Sequence, residues 1–197
     1  IRKIEPAYLY ISSDGPKNSD DKILINQIRS ILKEIEWNCE VKTLFNETNL
    51  GCKKACNQAI DWFFSQEKEG IILEDDCLPN QSFFYFCSEL LELYRDDKRI
   101  AMISGNLPYQ NVFKNNDSYC FSRYTHLWGW ASWRRSWELH DKTLSFLVNF
   151  KDIDGFKKTI HNVRERKYWE KIANKVNSID TWDYPLLISY WSQSMLS

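Results

Sequence analysis

The run Gly70-Ile71-Ile72-Leu73-Glu74-Asp75-Asp76-Cys77-Leu78-Pro79 constrains this chain more than any other stretch. Three consecutive apolar residues, two of them β-branched, predict a short strand buried on both faces. Three carboxylates follow where that strand must end. Pro79 and Asn80 then break the pattern, and Gln81 to Tyr94 resumes at helical spacing. Adjacent like charges at the mouth of a buried strand raise one another's pKa. A hard divalent cation relieves that repulsion and prefers oxygen ligands. In open α/β sheets, ligands bind just beyond the carboxyl ends of the strands. The residues alone leave two readings, a solvated acidic turn or a metal site facing a phosphate ligand.

The surrounding pattern alternates. Ala7 to Ser13 predicts a strand that runs into the Asp14-Gly15-Pro16 turn. Leu24, Ile28, Ile31, Leu32 and Ile35 form one apolar helical stripe. Cys39 to Phe45 predicts the next strand, and Cys52 to Ser65 a helix with Ala55, Ala59, Trp62 and Phe63 on its stripe. The acidic-ended strand follows, then a helix carrying Phe83, Cys87, Leu90, Leu91 and Tyr94, then a strand from Ile100 to Ser104. Strand and helix in strict alternation predict an α/β fold, with a mostly parallel central sheet and helices on both faces. Residues 106–121 read as loop, with a short strand near Tyr119. Lys151 to Asn162, Lys167 to Asn177 and Trp182 to Trp191 are candidate helices. No second domain or repeat is visible. The 197 residues read as one domain, truncated at both ends because the chain opens at Ile1 and stops inside an apolar run at Ser197.

Net charge is −1 and the basic residues do not cluster, which argues against a nucleic-acid partner. No apolar run reaches the roughly 18 residues of a membrane span. The six cysteines include no CxxC pair, and no His lies at zinc-site spacing. They read as reduced thiols in a cytoplasmic protein, either free or peripheral at the inner face of the membrane.

Four places could carry chemistry besides the acidic run. Asp14 is a turn former or an acceptor for a nucleobase or ribose. Asn49-Leu50-Gly51 either relieves strain at a helix start or lines a nucleotide pocket. Trp128-Gly129-Trp130, within a segment ending at Trp133, is an aromatic cluster or a wall for a donor sugar or acceptor; Gly129 permits close approach. Asp180 and Asp183 flank Trp182 at a helix start, so either is a cap. A carboxylate beside Trp182 also suits a general base.

With these residues in view, a resemblance emerges. The run Gly70 to Phe86, GIILEDDCLPNQSFFYF, resembles the acidic metal-binding segment of GT-A glycosyltransferases, in particular N-acetylglucosaminyltransferase I. Ser13-Asp14-Gly15 resembles the uridine-contacting turn of that family. Asn49-Leu50-Gly51 with Ala59 to Phe64 resembles the helix before the acidic triplet. Trp128 to Trp133 with Thr181-Trp182-Asp183 is similar to bacterial members. The resemblance spans about residue 7 to 191. It implies a nucleotide-diphospho-sugar transferase-like, Rossmann-like domain performing an inverting, metal-dependent sugar transfer in polysaccharide biosynthesis. Asp76 would ligate Mn2+ or Mg2+. Glu74 and Asp75 would bond the donor sugar and ribose, and Asp14 the base. Gly51, Trp128, Gly129 and Trp130 would line the site, and Asp183 would be the base. The implied partners are a UDP-sugar donor and a glycan or other hydroxyl acceptor. The competing classes are an inactive carbohydrate- or nucleotide-binding protein of the same fold, and a metal-dependent nucleotidyltransferase or phosphohydrolase.

Overall fold

A computed structural model of the chain describes residues 1–106, 117–152 and 154–197. The loop reading for 107–116 lies outside the described residues. The chain forms two compact units, Ile1–Phe63 and Phe64–Ser197.

In the first unit, β1 (Tyr8–Ser13) and β2 (Glu40–Phe45) pair in parallel from Tyr8↔Glu40 to Ser13↔Phe45. The crossover is α1 (Ser19–Ser30), continued by a 3₁₀ turn over Ile31–Glu34. Asn18 caps α1 by accepting from the Asp21 amide at 2.9 Å. Asp20 and Asp21 lie in its first turn and Arg29 in its last, as the helix dipole favours. Arg29 also reaches back to the strand ends. Its guanidinium donates to the carbonyls of Ser13, Asp14 and Asn46 at 3.0–3.2 Å and lies 4.5 Å from the Phe45 ring centroid. The helix α2 (Cys52–Gln66) presents Trp62 and Phe63 edge-on to Tyr10 of β1. The predicted stripe on α1 is only partly covered. Leu24, Ile28 and Ile31 are exposed, while Leu32 and Ile35 are half-buried. Two strands about 5 Å apart cannot cover the face of a helix about 10 Å across.

The second unit holds β3 (Glu69–Ile72), α3 (Gln81–Leu93), β4 (Met102–Ser104), β5 (Trp130–Trp133) and the short α4 (Arg134–Trp137). Four further helices follow: α5 (Leu147–Asp152), α6 (Gly155–Thr159), α7 (Val163–Lys175) and α8 (Asp183–Ser192). The expected mostly parallel central sheet does not form. Instead the described strands make a two-stranded parallel sheet and a three-stranded antiparallel sheet of order β3-β5-β4. The cause is the Trp-rich segment. Read from the sequence as an aromatic cluster or a ligand wall, this segment is extended and buried at every position from Trp130 to Trp133. Trp and β-branched neighbours favour this geometry. It inserts between β3 and β4, with Ile72↔Trp130 on one side and Ser104↔Trp130 on the other. The β3-α3-β4 alternation is present, yet its two strands never pair. Because β3 is an edge strand, its residues are half-buried rather than covered on both faces. The strand expected near Tyr119 is irregular chain.

Two apolar clusters form much of this unit's core. One joins Cys87, Leu90 and Leu91 of α3 to Ile103, Ala131 and Trp133. The other gathers Phe150, Phe156, Ile160, Ala173, Leu187, Ile188 and Trp191 around α8. Seven consecutive residues of α8, Pro185 to Trp191, are buried, so this helix is apolar on all sides. Arg135 closes the end of α3. It donates to the carbonyls of Tyr94, Arg95, Asp97 and Ile100 at 2.9–3.2 Å and lies 4.2 Å from the Trp133 ring centroid.

The twin tryptophans give a direct check. Trp130 is 0 % exposed and Trp128 68 % exposed. Trp130→Ala is expected to cost about 3–5 kcal/mol in chemical denaturation, whereas Trp128→Ala is expected to stay within about 0.5 kcal/mol of the parent. Equal losses would mean that β5 is not the central strand.

Candidate functional site

In the second unit the acidic run leaves β3 and turns at once. The Cys77 amide donates to the Glu74 carbonyl at 3.1 Å, closing a β-turn with Asp75 and Asp76 as its central residues. Both central carboxylates are therefore exposed, while Glu74 is half-buried at the base of the turn. Burial raises the Glu74 pKa, and the charges of Asp76, Asp75 and Asp183 raise it further. Asp183, more than a hundred positions later, thus faces the same group. No ion pair among the described residues joins these four carboxylates to a Lys or Arg.

The approach of Asp183 has a structural cause. Trp182 is buried and stacks on Trp130, with ring centroids 6.0 Å apart and planes at 27°. Trp130 pairs with Ile72, two residues before Glu74. The stack therefore fixes the first residue of α8 beside the end of β3. The capping role expected of Asp183 is not realised: Trp182 occupies the cap position without a side-chain bond, and the Thr181 hydroxyl donates to the Asp183 carboxylate.

The Trp128-Gly129-Trp130 segment divides. Trp128 projects outward, whereas fully buried Trp130 belongs to the core. Gly129 has φ +73 and its carbonyl accepts from the Gly105 amide at 2.8 Å. The group that approaches these glycines is Phe83 of α3. A Cβ on Gly105 would lie 2.3 Å from the Phe83 ring, and one on Gly129 would lie 3.3 Å from it. Gly105 carried no signal beyond ending a strand.

Beside the turn opens a cavity of about 1090 Å³. Asp76 and Trp128 lie on its wall, together with an aromatic group formed by Phe86, Tyr94, Tyr119 and Phe121. Sequence reasoning missed these four. A signal was present in the alternation of Tyr119 and Phe121 about Cys120, which places two rings on one side of an extended segment.

Asp14 and Gly51 lie in the first unit and form their own cluster. The Asp14 carboxylate accepts from the amides of Gly15, Leu50 and Gly51 and from the side chains of Asn46 and Asn49, at 2.8–3.2 Å. Burial pushes its pKa up, but these donors outweigh it, and the net shift is downward. The carboxylate's acceptor capacity is therefore used in joining the two loops that follow β1 and β2. Gly51 takes φ +80, and Gly15 is required because a Cβ there would lie 2.3 Å from the Thr48 backbone.

Among the described residues, no three His, Cys, Asp or Glu side chains are arranged to hold a metal ion between them. The exposed Asp76 carboxylate fits a different kind of site. Magnesium-like ions are commonly held by one or two carboxylates, with substrate phosphates and water completing the shell. All six cysteines are free thiols. No helix among the described residues is long and apolar enough to cross a membrane. Comparison with family models, with curated proteins and with solved structures found no match to this chain.

The crowding of carboxylates has a stability signature. Folded Glu74 holds its proton more tightly than in the unfolded chain, where the ordinary value is 4.5. Its contribution is present below pH 4.5 and is lost as pH rises through the folded value. Glu74→Gln is therefore expected to melt above the parent at pH 7, with the difference vanishing below pH 4.5. A variant less stable than the parent at pH 7 would show that the ionised carboxylate is instead stabilised.

Proposed function

We propose that this protein is a metal-dependent, inverting glycosyltransferase that moves a sugar from a nucleoside-diphosphate donor to a hydroxyl acceptor. The observation that carries the reading is the Glu74-Asp75-Asp76 turn, with Asp76 on the wall of a large cavity and Asp183 near enough to raise the Glu74 pKa. The resemblance of the acidic run to the metal-binding segment of such enzymes supports it. So does the absence of a paired cation at four crowded carboxylates among the described residues.

In this reading Asp76 holds the cation, and Glu74 and Asp75 accept hydrogen bonds from donor hydroxyls. A divalent cation such as Mn2+ or Mg2+ neutralises charge on the leaving diphosphate. Asp183 takes the proton of the acceptor hydroxyl as that oxygen forms its bond to the anomeric carbon. The bond from that carbon to the diphosphate oxygen breaks with its electron pair on the phosphate, and a single displacement inverts the centre. Thr181, bonded to Asp183, holds the carboxylate's orientation. Buried Trp182 keeps water from one side of it.

The test uses the full chain with a panel of nucleoside-diphosphate sugars, with and without Mn2+. Donor-specific, Mn2+-dependent stabilisation is expected and should be lost in Asp76→Ala. Asp183→Asn should keep that stabilisation and lower turnover by about 10²–10⁴-fold. Mn2+-dependent donor binding without any transfer would favour a binding protein. No donor binding at all would sink the transferase reading.

A further inference from the structure

The cavity beside Asp76 carries information about its occupant that the transfer reading does not supply. Its wall is built from rings that contact one another edge-on. Tyr119 lies 5.9 Å from Phe121 and 6.3 Å from both Tyr94 and Phe86, while Tyr94 lies 5.6 Å from Phe121, all measured between centroids. The hydroxyls of Tyr94 and Tyr119 are 2.7 Å apart and bonded to each other. Phe121 and Tyr119 keep exposed surface, as do Trp128 and Leu78 elsewhere on the wall.

This wall is held in place from behind. Ser122 and Ser197 exchange both backbone hydrogen bonds at 2.8 Å, and Leu196 bridges to Ile100. Arg123 binds Glu165 at 2.9 Å, and the Tyr124 hydroxyl donates to the same carboxylate. The chain carrying Tyr119 and Phe121 thus runs directly into an anchored segment.

The charge on the wall is one-sided. Asp76 and Asp117 line the cavity, and no Lys or Arg does so among the described residues. His126 is also on the wall, and burial lowers its pKa, which disfavours its charged form. Among the described residues, and without a metal on Asp76, an anionic ligand would meet two carboxylates and no cation, at a desolvation cost those residues do not offset. A purely aliphatic chain fits poorly for another reason. Asn80, Asn106, Ser82 and Ser118 interrupt the apolar surface and would be left without partners. A volume of about 1090 Å³ lies just above the roughly 300–1,000 Å³ typical of small-molecule pockets. That favours a ligand of several rings. Sugar units present apolar C–H faces to aromatic rings and hydroxyls to amides and serines at once.

We propose that this cavity binds a neutral oligosaccharide laid against Tyr119 and Phe121, and that it is the acceptor site. The acceptor role rests on the transfer reading, whereas occupancy by a neutral glycan is read from the cavity alone.

The test is calorimetric titration of the full chain, without donor or metal, using cellohexaose, maltohexaose and chitohexaose against hexagalacturonate. At least one neutral hexasaccharide is expected to bind at millimolar concentration or below, and hexagalacturonate is not. The Tyr119→Ala/Phe121→Ala double variant is expected to weaken that binding by about tenfold or more while remaining folded at the assay temperature, as its melting curve checks. Tyr119→Phe, which keeps the ring, is expected to retain most of it. The proposal is overturned if hexagalacturonate binds as tightly as the best neutral chain. It is equally overturned if the double variant binds like the parent, or if none of the three neutral chains binds. Glycan binding is measured without donor, so a failed transferase assay leaves it standing. Conversely, transfer that proceeds with an unchanged acceptor KM in the double variant removes the acceptor site while leaving the transferase.

Discussion

The stack of Trp182 on Trp130 is the contact on which the placement of Asp183 in the second unit depends. It joins the start of a fully buried helix to the central strand of a three-stranded sheet. Trp130 is registered to Ile72, and Glu74 follows two residues later. The Asp183 carboxylate is therefore held near enough to Glu74 for its charge to raise the Glu74 pKa. The surrounding aromatic residues reinforce the arrangement, since Trp137 lies within 6.5 Å of both stacked rings. Such pairs add about 0.5–1.5 kcal/mol beyond the area they bury.

Local structure was legible where the chain carries a clear period. The β1-α1-β2 crossover, α2 and α3 follow their apolar spacing to within a residue or two. What period cannot reveal is which strands pair. The order β3-β5-β4 depends on Trp130 to Trp133, whose Trp, Ala and Ser have no alternation that distinguishes a strand covered on both sides from an aromatic loop. Strand pairing is a long-range property, and here it converts an alternating sequence into an antiparallel sheet. The same limit applies to α1, whose stripe announces a helix but not how little sheet there is to cover it.

At the site, clustering in sequence carried over into clustering in space only in part. Glu74, Asp75 and Asp76 share a turn because they are neighbours, and Asp183 joins them through tertiary packing. Trp128 and Trp130 are two residues apart and would share a face in an extended chain, yet one faces solvent and the other lies in the core, because Gly129 at φ +73 turns the chain between them. Asp14 shows that an acidic side chain at a strand end can be occupied entirely by its own loops. The aromatic wall around Tyr119 escaped notice because its members come from α3 and from an irregular segment with no period of its own.

The position of β5 between β3 and β4 has a consequence for how the second unit is made. Strand β3 ends at Ile72 and β4 at Ser104, but the strand that pairs with both begins only at Trp130. During synthesis, at roughly 5–20 residues per second, both early strands emerge seconds before their partner. Their hydrogen-bonding edges must wait, with α3 alone to shield them. Contacts between such distant segments also slow folding, since the chain entropy of closing the loop is lost before any pairing is gained. The sheet therefore cannot be completed until Trp130 to Trp133 has joined both strands.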